Sequence, residues 1–265
     1  MFMGVRFPRG HLSGRKKYYK PKEDYMEQYG LGRLQSPFDA RDWNLADFIP
    51  LSMPAAMPLD VYWDFPSKSL NQKNTPHCVG FSMAAFGINS PVNTMYTNQD
   101  GHDFYYKCKI IDGRPGVEEG TYVRSGAKVL QNVGRIDNYA FARDITAIRW
   151  WLTYRGPLIV GTLWTEEMFL PDKDNVISIG GNVVGGHAYL LKEIKGGKYF
   201  GFQNSWGEDW GENGKAYISI EDFELLFKYN GEAMTAVELP HEPVIETPQH
   251  RCILMELLRK LFSRN

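Results

Sequence analysis

The chain has 265 residues, with 30 Lys and Arg against 31 Asp and Glu, a formal charge of −1, 43% hydrophobic and 23% charged residues. That balance excludes wholesale disorder and collagen-like repeats, and the length suffices for one large domain or two modest lobes. The charge is unevenly spread. Residues 1–22 hold Arg6, Arg9, Arg15, Lys16, Lys17, Lys20 and Lys22 and no acidic residue, leaving 23 basic against 31 acidic side chains, or −8, in the rest. Nucleic acid is therefore not an expected partner of the body, and only the basic arm is a candidate for such contact.

In chain order, residues 1–57 are rich in Gly, Pro and charge and read as an arm or leader. From 58 to 239 the chain is dense in aromatics and alternating apolar residues, the pattern of a packed domain. Within it Thr75-Pro76 predicts a helix start, with Thr75 as cap and Pro76 at the first helical position. Phe81, Ala84, Ala85 and Ile88 then mark one buried face. Two further helices are predicted over 121–133 and 144–154, closed by Gly134 and by Gly156-Pro157. Strands follow at 158–163, 187–195, 198–204 and 215–220. Helices first and strands second predict an α+β protein with two lobes. Residues 240–265 form a Pro-bearing linker and an amphipathic helix, with Ile253, Leu254, Leu257, Leu258, Leu261 and Phe262 on one side.

No run of about 18 apolar residues occurs, so a membrane span is not expected. Cys78, Cys108 and Cys252 cannot build a disulfide framework. No Asn-x-Ser/Thr acceptor or apolar signal core is present, and the expected setting is cytoplasmic and non-secreted.

Cys78 lies in the first turn of its helix, where free N–H groups and the helix dipole favour a thiolate, although on position alone a small buried core residue is the more frequent reading of a free cysteine. His187 opens a strand, and Gly196-Gly197 predicts a two-residue hairpin. That turn pairs His187 with Trp206 and makes His187 and Asn204 diagonal neighbours on one face. An Asn amide there can hold one imidazole nitrogen, with the Trp shielding the bond; a buried histidine satisfied by an amide is the plainer alternative. Gln72, six residues before Cys78, can aim its amide at an oxyanion beside the Cys78 N–H, or be a solvated loop residue. Together these are the parts of an activated thiol nucleophile. A zinc site from His77, Cys78, His102 and Cys108 lacks paired-ligand spacing.

Gln72-Lys73-Asn74-Thr75-Pro76-His77-Cys78-Val79-Gly80-Phe81-Ser82 resembles the nucleophile segment of papain-like cysteine peptidases. Gly185-Gly186-His187-Ala188 resembles their histidine segment, and Gln203-Asn204-Ser205-Trp206-Gly207 their asparagine segment. The resemblance implies a papain-like two-lobed α+β fold. A helical lobe at about 70–140 would bear Cys78, and a β-barrel-like lobe at about 141–239 would bear His187 and Asn204. It implies a thiol endopeptidase acting on peptide or protein substrates, with Cys78, His187, Asn204 and Gln72 catalytic and no metal or cofactor. Gly120, Thr121, Gly186 and Trp206 would contact substrate. Thr75 stands where the family usually has a cysteine, and Val79 where it has an aromatic, leaving substrate preference open. Asp39-Ala40-Arg41-Asp42 resembles a segment of prokaryotic and phage members, and a phage origin would allow association with the virion. By the same resemblance the arm is either an inhibitory leader or an assembly anchor. The arm and the C-terminal helix are the segments expected to dock on a partner protein. A catalytically idle scaffold and an acyl transferase using the same residues are the alternatives.

Overall fold

The computed structural model describes the backbone of residues 6–7 and all of residues 27–51 and 56–237. The C-terminal amphipathic stripe, Cys252 and the side chains of the basic segment lie outside the described residues.

The first long helix, α1 (Cys78–Ile88), starts two residues later than Thr75-Pro76 predicts. Thr75 instead turns back on the loop, its hydroxyl donating to the Gln72 carbonyl at 2.7 Å. His77 becomes the cap residue, without a side-chain capping bond, and Cys78 is the first helical residue instead of the third. All eleven residues of α1 are buried, not one face. The helix is enclosed by α2 (Asn98–Ile111), α3 (Val123–Asn132) and a central strand, which is why its sequence is apolar all round. Helix α2 was not expected. Its start is nonetheless written locally, as a reciprocal capping box between Thr97 and Asp100. Helix α4 (Ile145–Tyr154) starts where predicted, with Asp144 accepting from the Ala147 N–H at 2.8 Å.

The strands are β1 (Arg6–Phe7), β2 (Arg33–Leu34), β3 (Trp43–Asn44), β4 (Val61–Tyr62), β5 (Thr121–Tyr122), β6 (Asn138–Ala142), β7 (Leu158–Thr165), β8 (Val176–Ile177), β9 (Gly181–Lys195), β10 (Tyr199–Gln203), β11 (Lys215–Ser219) and β12 (Glu232–Val237). The main sheet runs β3-β6-β12-β7-β9-β10-β11-β8, and β2 pairs with β5 apart from it. The path is open; among the described residues the strands do not close into the expected barrel. A fifth helix, α5 (Ile220–Lys228), links β11 to β12.

Strand β9 organises the sheet. It pairs with β7 on one side, placing His187 opposite Thr162, and with β10 on the other. Near the turn the β9–β10 register is Lys195 with Tyr199, so the loop is three residues long and not the expected two. A bulge at Gly201/Phe202 then shifts the pairing by one, to Phe202 with Leu191 and Gln203 with Leu190. The two one-residue departures cancel, and the site has the register that the shorter turn predicts. Apolar side chains gather in two cores. One surrounds α1, with Phe81, Met83, Phe104 and Leu130; the other lies in the sheet region, with Trp164, Phe200, Phe202 and Phe223.

Part of the arm packs against this body. Leu45 is fully buried in the sheet core, β3 pairs in parallel with β6, and β2 in parallel with β5. Arg124 clasps this segment, binding both the Asp42 carboxylate and the Pro37 carbonyl.

Candidate active site

The site forms where α1 meets β9. Cys78, His187, Asn204 and Gln72 are all buried. His187 Nε2 lies 2.7 Å from Asn204 Oδ1. The ring stacks on Trp206 with centroids 4.6 Å apart and meets the edge of Trp164 at 4.9 Å. Trp164 is a wall that sequence reasoning missed; its only signal was its place on a strand expected to end one residue earlier. Asn204 is fixed in turn, its Oδ1 also accepting from the Ser205 N–H at 2.8 Å. The other imidazole nitrogen, Nδ1, is buried without a hydrogen-bond partner among the described residues.

The Cys78 sulfur faces backbone N–H groups of Ala188, Gly32 and Val79. Ala188 directly follows His187, so the strand that carries the imidazole also delivers a donor to the thiol. Burial pushes the Cys78 thiol up to about 11 despite those donors, and pushes His187 down to about 4 against the pull of Asn204. Both shifts favour the neutral forms, a thiol and an imidazole. Cys108 is also buried, its Sγ 3.8 Å from Met83 Sδ, and burial raises its thiol further still.

The arm adds to this burial; the resemblance offers an inhibitory leader as one of two alternatives, without naming the residues that lie here. Residues 29–34 run through the cleft, directly over Cys78. The Gly30 N–H donates to the Lys73 carbonyl at 2.9 Å and the Gly32 N–H to the Gly186 carbonyl at 3.1 Å. The Gly30 carbonyl accepts from Gln72 Nε2 and from Trp206 Nε1, each at 3.2 Å, and the Gly32 carbonyl from the Thr121 N–H at 2.9 Å. Tyr29 stacks on Trp206 with centroids 4.7 Å apart. Two glycines make this approach possible: a Cβ on Gly30 would fall 2.0 Å from the Thr75 carbonyl oxygen, and one on Gly32 would fall 2.0 Å from that of Pro76.

Thus Gly120, Thr121, Gly186 and Trp206 all border the arm strand. The Gly120–Thr121 edge is held from behind, with buried Lys109 donating to the Gly120 carbonyl at 3.0 Å and Thr121 Oγ1 to Asp112 at 2.6 Å. Gln72 is oriented by Ser205, whose hydroxyl donates to its Oε1 at 2.6 Å, while its Nε2 also donates to the Thr75 carbonyl at 2.7 Å. His77 is bonded to His102 and Glu118 and stacked on Tyr105.

No protein-family model matches the sequence, and no curated protein matches it. Solved structures do resemble it. Xylellain, a cysteine protease from Xylella fastidiosa, is 18% identical with a TM-score of 0.60, over 80% of this chain and 98% of that one. Procathepsin B S9 from Trypanosoma congolense is 10% identical with a TM-score of 0.58, over 82% and 88%. The Carica candamarcensis cysteine protease CMS1MS2 is 14% identical with a TM-score of 0.52, over 69% and 99%. The chain has the fold of the papain-like cysteine proteases.

Proposed function

We propose that this chain is a cysteine peptidase held latent by its own residues 29–34, with Cys78 as nucleophile. The observation that carries the reading is His187. One nitrogen is fixed by Asn204, the ring is walled by two tryptophans, and the second nitrogen is unpartnered among the described residues, on the strand that packs against the helix of Cys78.

Once the arm leaves, water and substrate dipoles reach the cleft, and the thiol proton passes to His187 Nδ1. The thiolate attacks the peptide carbonyl. As the first helical residue, Cys78 has an N–H with no intrahelical acceptor; this donor and Gln72 Nε2 stabilise the oxyanion. The C–N bond breaks as imidazolium protonates the leaving amine, leaving a thioester. Water, deprotonated by His187, then attacks the thioester; the acid departs and the thiol regains its proton.

Gly32→Val tests this, because its side chain cannot fit beneath the Pro76 carbonyl. Iodoacetamide at pH 7 is expected to modify Cys78 about 100-fold faster in this variant than in the parent, the equivalent of about two pKa units of added thiolate. Hydrolysis of a fluorogenic peptide should accompany that change and vanish with Cys78→Ala. A Cys78 that reacts no faster than Cys108 in the variant would leave only the idle-scaffold alternative.

A further inference from the structure

Arg33 is the arm residue next to Gly32, and its side chain is 1% exposed. It enters a recess beside the nucleophile. Its Nε lies 2.8 Å from Glu232 Oε1, and its Nη2 donates to the Asn230 carbonyl at 2.6 Å. Two glycines make room for it: a Cβ on Gly161 would fall 2.7 Å from Arg33 Nε, and one on Gly186 would fall 2.2 Å from the Arg33 carbonyl oxygen. Glu232 begins β12 and pairs with Gly161 on β7, so the carboxylate and the glycine wall belong to the body and stay when the arm departs.

We infer that this recess is a substrate pocket selecting an arginine side chain within two residues of the bond cut, with Glu232 as its specificity-determining residue. The inference rests on the peptidase reading. A carboxylate whose side chain is 10% exposed is stabilised by a cation and opposed to an apolar or acidic guest. The two acceptors, one carboxylate oxygen and one backbone carbonyl, meet two different guanidinium nitrogens. That forked demand is met by arginine better than by lysine, whose single nitrogen is a point charge. The arm holds the enzyme latent by placing its own arginine where the substrate's would go.

The test uses the full chain with Gly32→Val, which frees the cleft, combined with Arg33→Ala, which empties the recess, and tripeptidyl acyloxymethyl ketones that alkylate active-site thiols. Arginine, leucine or glutamate is placed in turn at each of the three positions, and the Cys78 adduct is followed by intact mass. At one position the arginine probe should label at least tenfold faster than the leucine probe, and the glutamate probe slowest of all. Adding Glu232→Gln should cut the arginine-to-leucine ratio to below threefold, and Glu232→Lys should move the preference to the glutamate probe. If Arg33→Ala does not fold by circular dichroism, Arg33→Gln keeps the stem and serves instead. Cys78 labelled equally by arginine and leucine probes at every position would overturn the pocket and leave the peptidase standing. Cys78 labelled by none of them would overturn both.

Discussion

Two buried histidines flank Cys78, one beside it in the chain and one brought from the sheet, and their surroundings differ in one respect. His77 has both ring nitrogens engaged, Nδ1 at 2.7 Å from His102 Nδ1 and Nε2 at 2.9 Å from Glu118. Its face lies on Tyr105 with centroids 3.7 Å apart. His187 has an equally aromatic enclosure but commits only Nε2, to Asn204. A ring with both nitrogens bonded is a prop, since changing its protonation breaks a bond on one side or the other. A ring with one nitrogen fixed and one open is oriented and still able to accept a proton. On the proposed reading, closeness to Cys78 in sequence does not choose the base; the unfilled valence does.

The largest effect that would break this comparison is kinetic. In the arm-released Gly32→Val background, His187→Ala is expected to lower peptide hydrolysis by about 10⁴-fold, the upper end of what a general base supplies. A loss under tenfold would return the choice of base to His77. Next comes Gln72→Ala in the same background, expected to cost about 10²–10³ in kcat for loss of one oxyanion donor. If KM rises and kcat holds, Gln72 merely positions substrate.

Acid unfolding sharpens the contrast further. The folded protein holds His187 at about 4 against an ordinary 6.5, so the unfolded chain binds the extra proton between those values. Its contribution is fully present above pH 6.5 and is lost as pH falls towards 4, by about 3 kcal/mol at most. Urea titrations of the parent and His187→Gln at pH 7 and pH 4.5 should show the parent losing more. Parallel losses in the two would mean that His187 is already hydrated. The smallest effect belongs to His77. His77→Ala should reduce stability by about 1–2 kcal/mol through loss of the Tyr105 stack and the Glu118 bond. Peptidase rate in the released background should stay within about threefold, under 1 kcal/mol of barrier. A much larger rate loss would show that the prop also tunes the thiol.

Much of the site was legible because its information is local. The loop from Gln72 to Cys78, the strand from His187 and the Asn204-Ser205-Trp206 run each carry their own pattern, and the alternation of β9 puts His187 on the face of Asn204. The register was reached through a turn one residue too short, and only the bulge at Gly201/Phe202 restored it. The start of α1 was misplaced because Thr75 can cap a helix or close a loop turn with equal local merit. Packing on Gly30, Gly32 and Tyr105 selected the loop turn.

The arm shows the opposite limit. Nothing near Tyr29-Gly30-Leu31-Gly32-Arg33-Leu34 announces a partner, because its acceptors are Lys73, Gly186, Asn230 and Glu232. The pair Arg33–Glu232 spans 199 positions, beyond the reach of any periodicity. By itself the sequence determined the α+β order and brought Cys78, His187, Asn204 and Gln72 forward as candidates, because helix starts, turns and alternation are dictated by neighbours a few residues apart. Tertiary structure alone decided that the thiol and imidazole are covered, with burial favouring their neutral forms, and that an acidic recess lies beside them. Desolvation and buried charge depend on what the fold brings in from elsewhere in the chain.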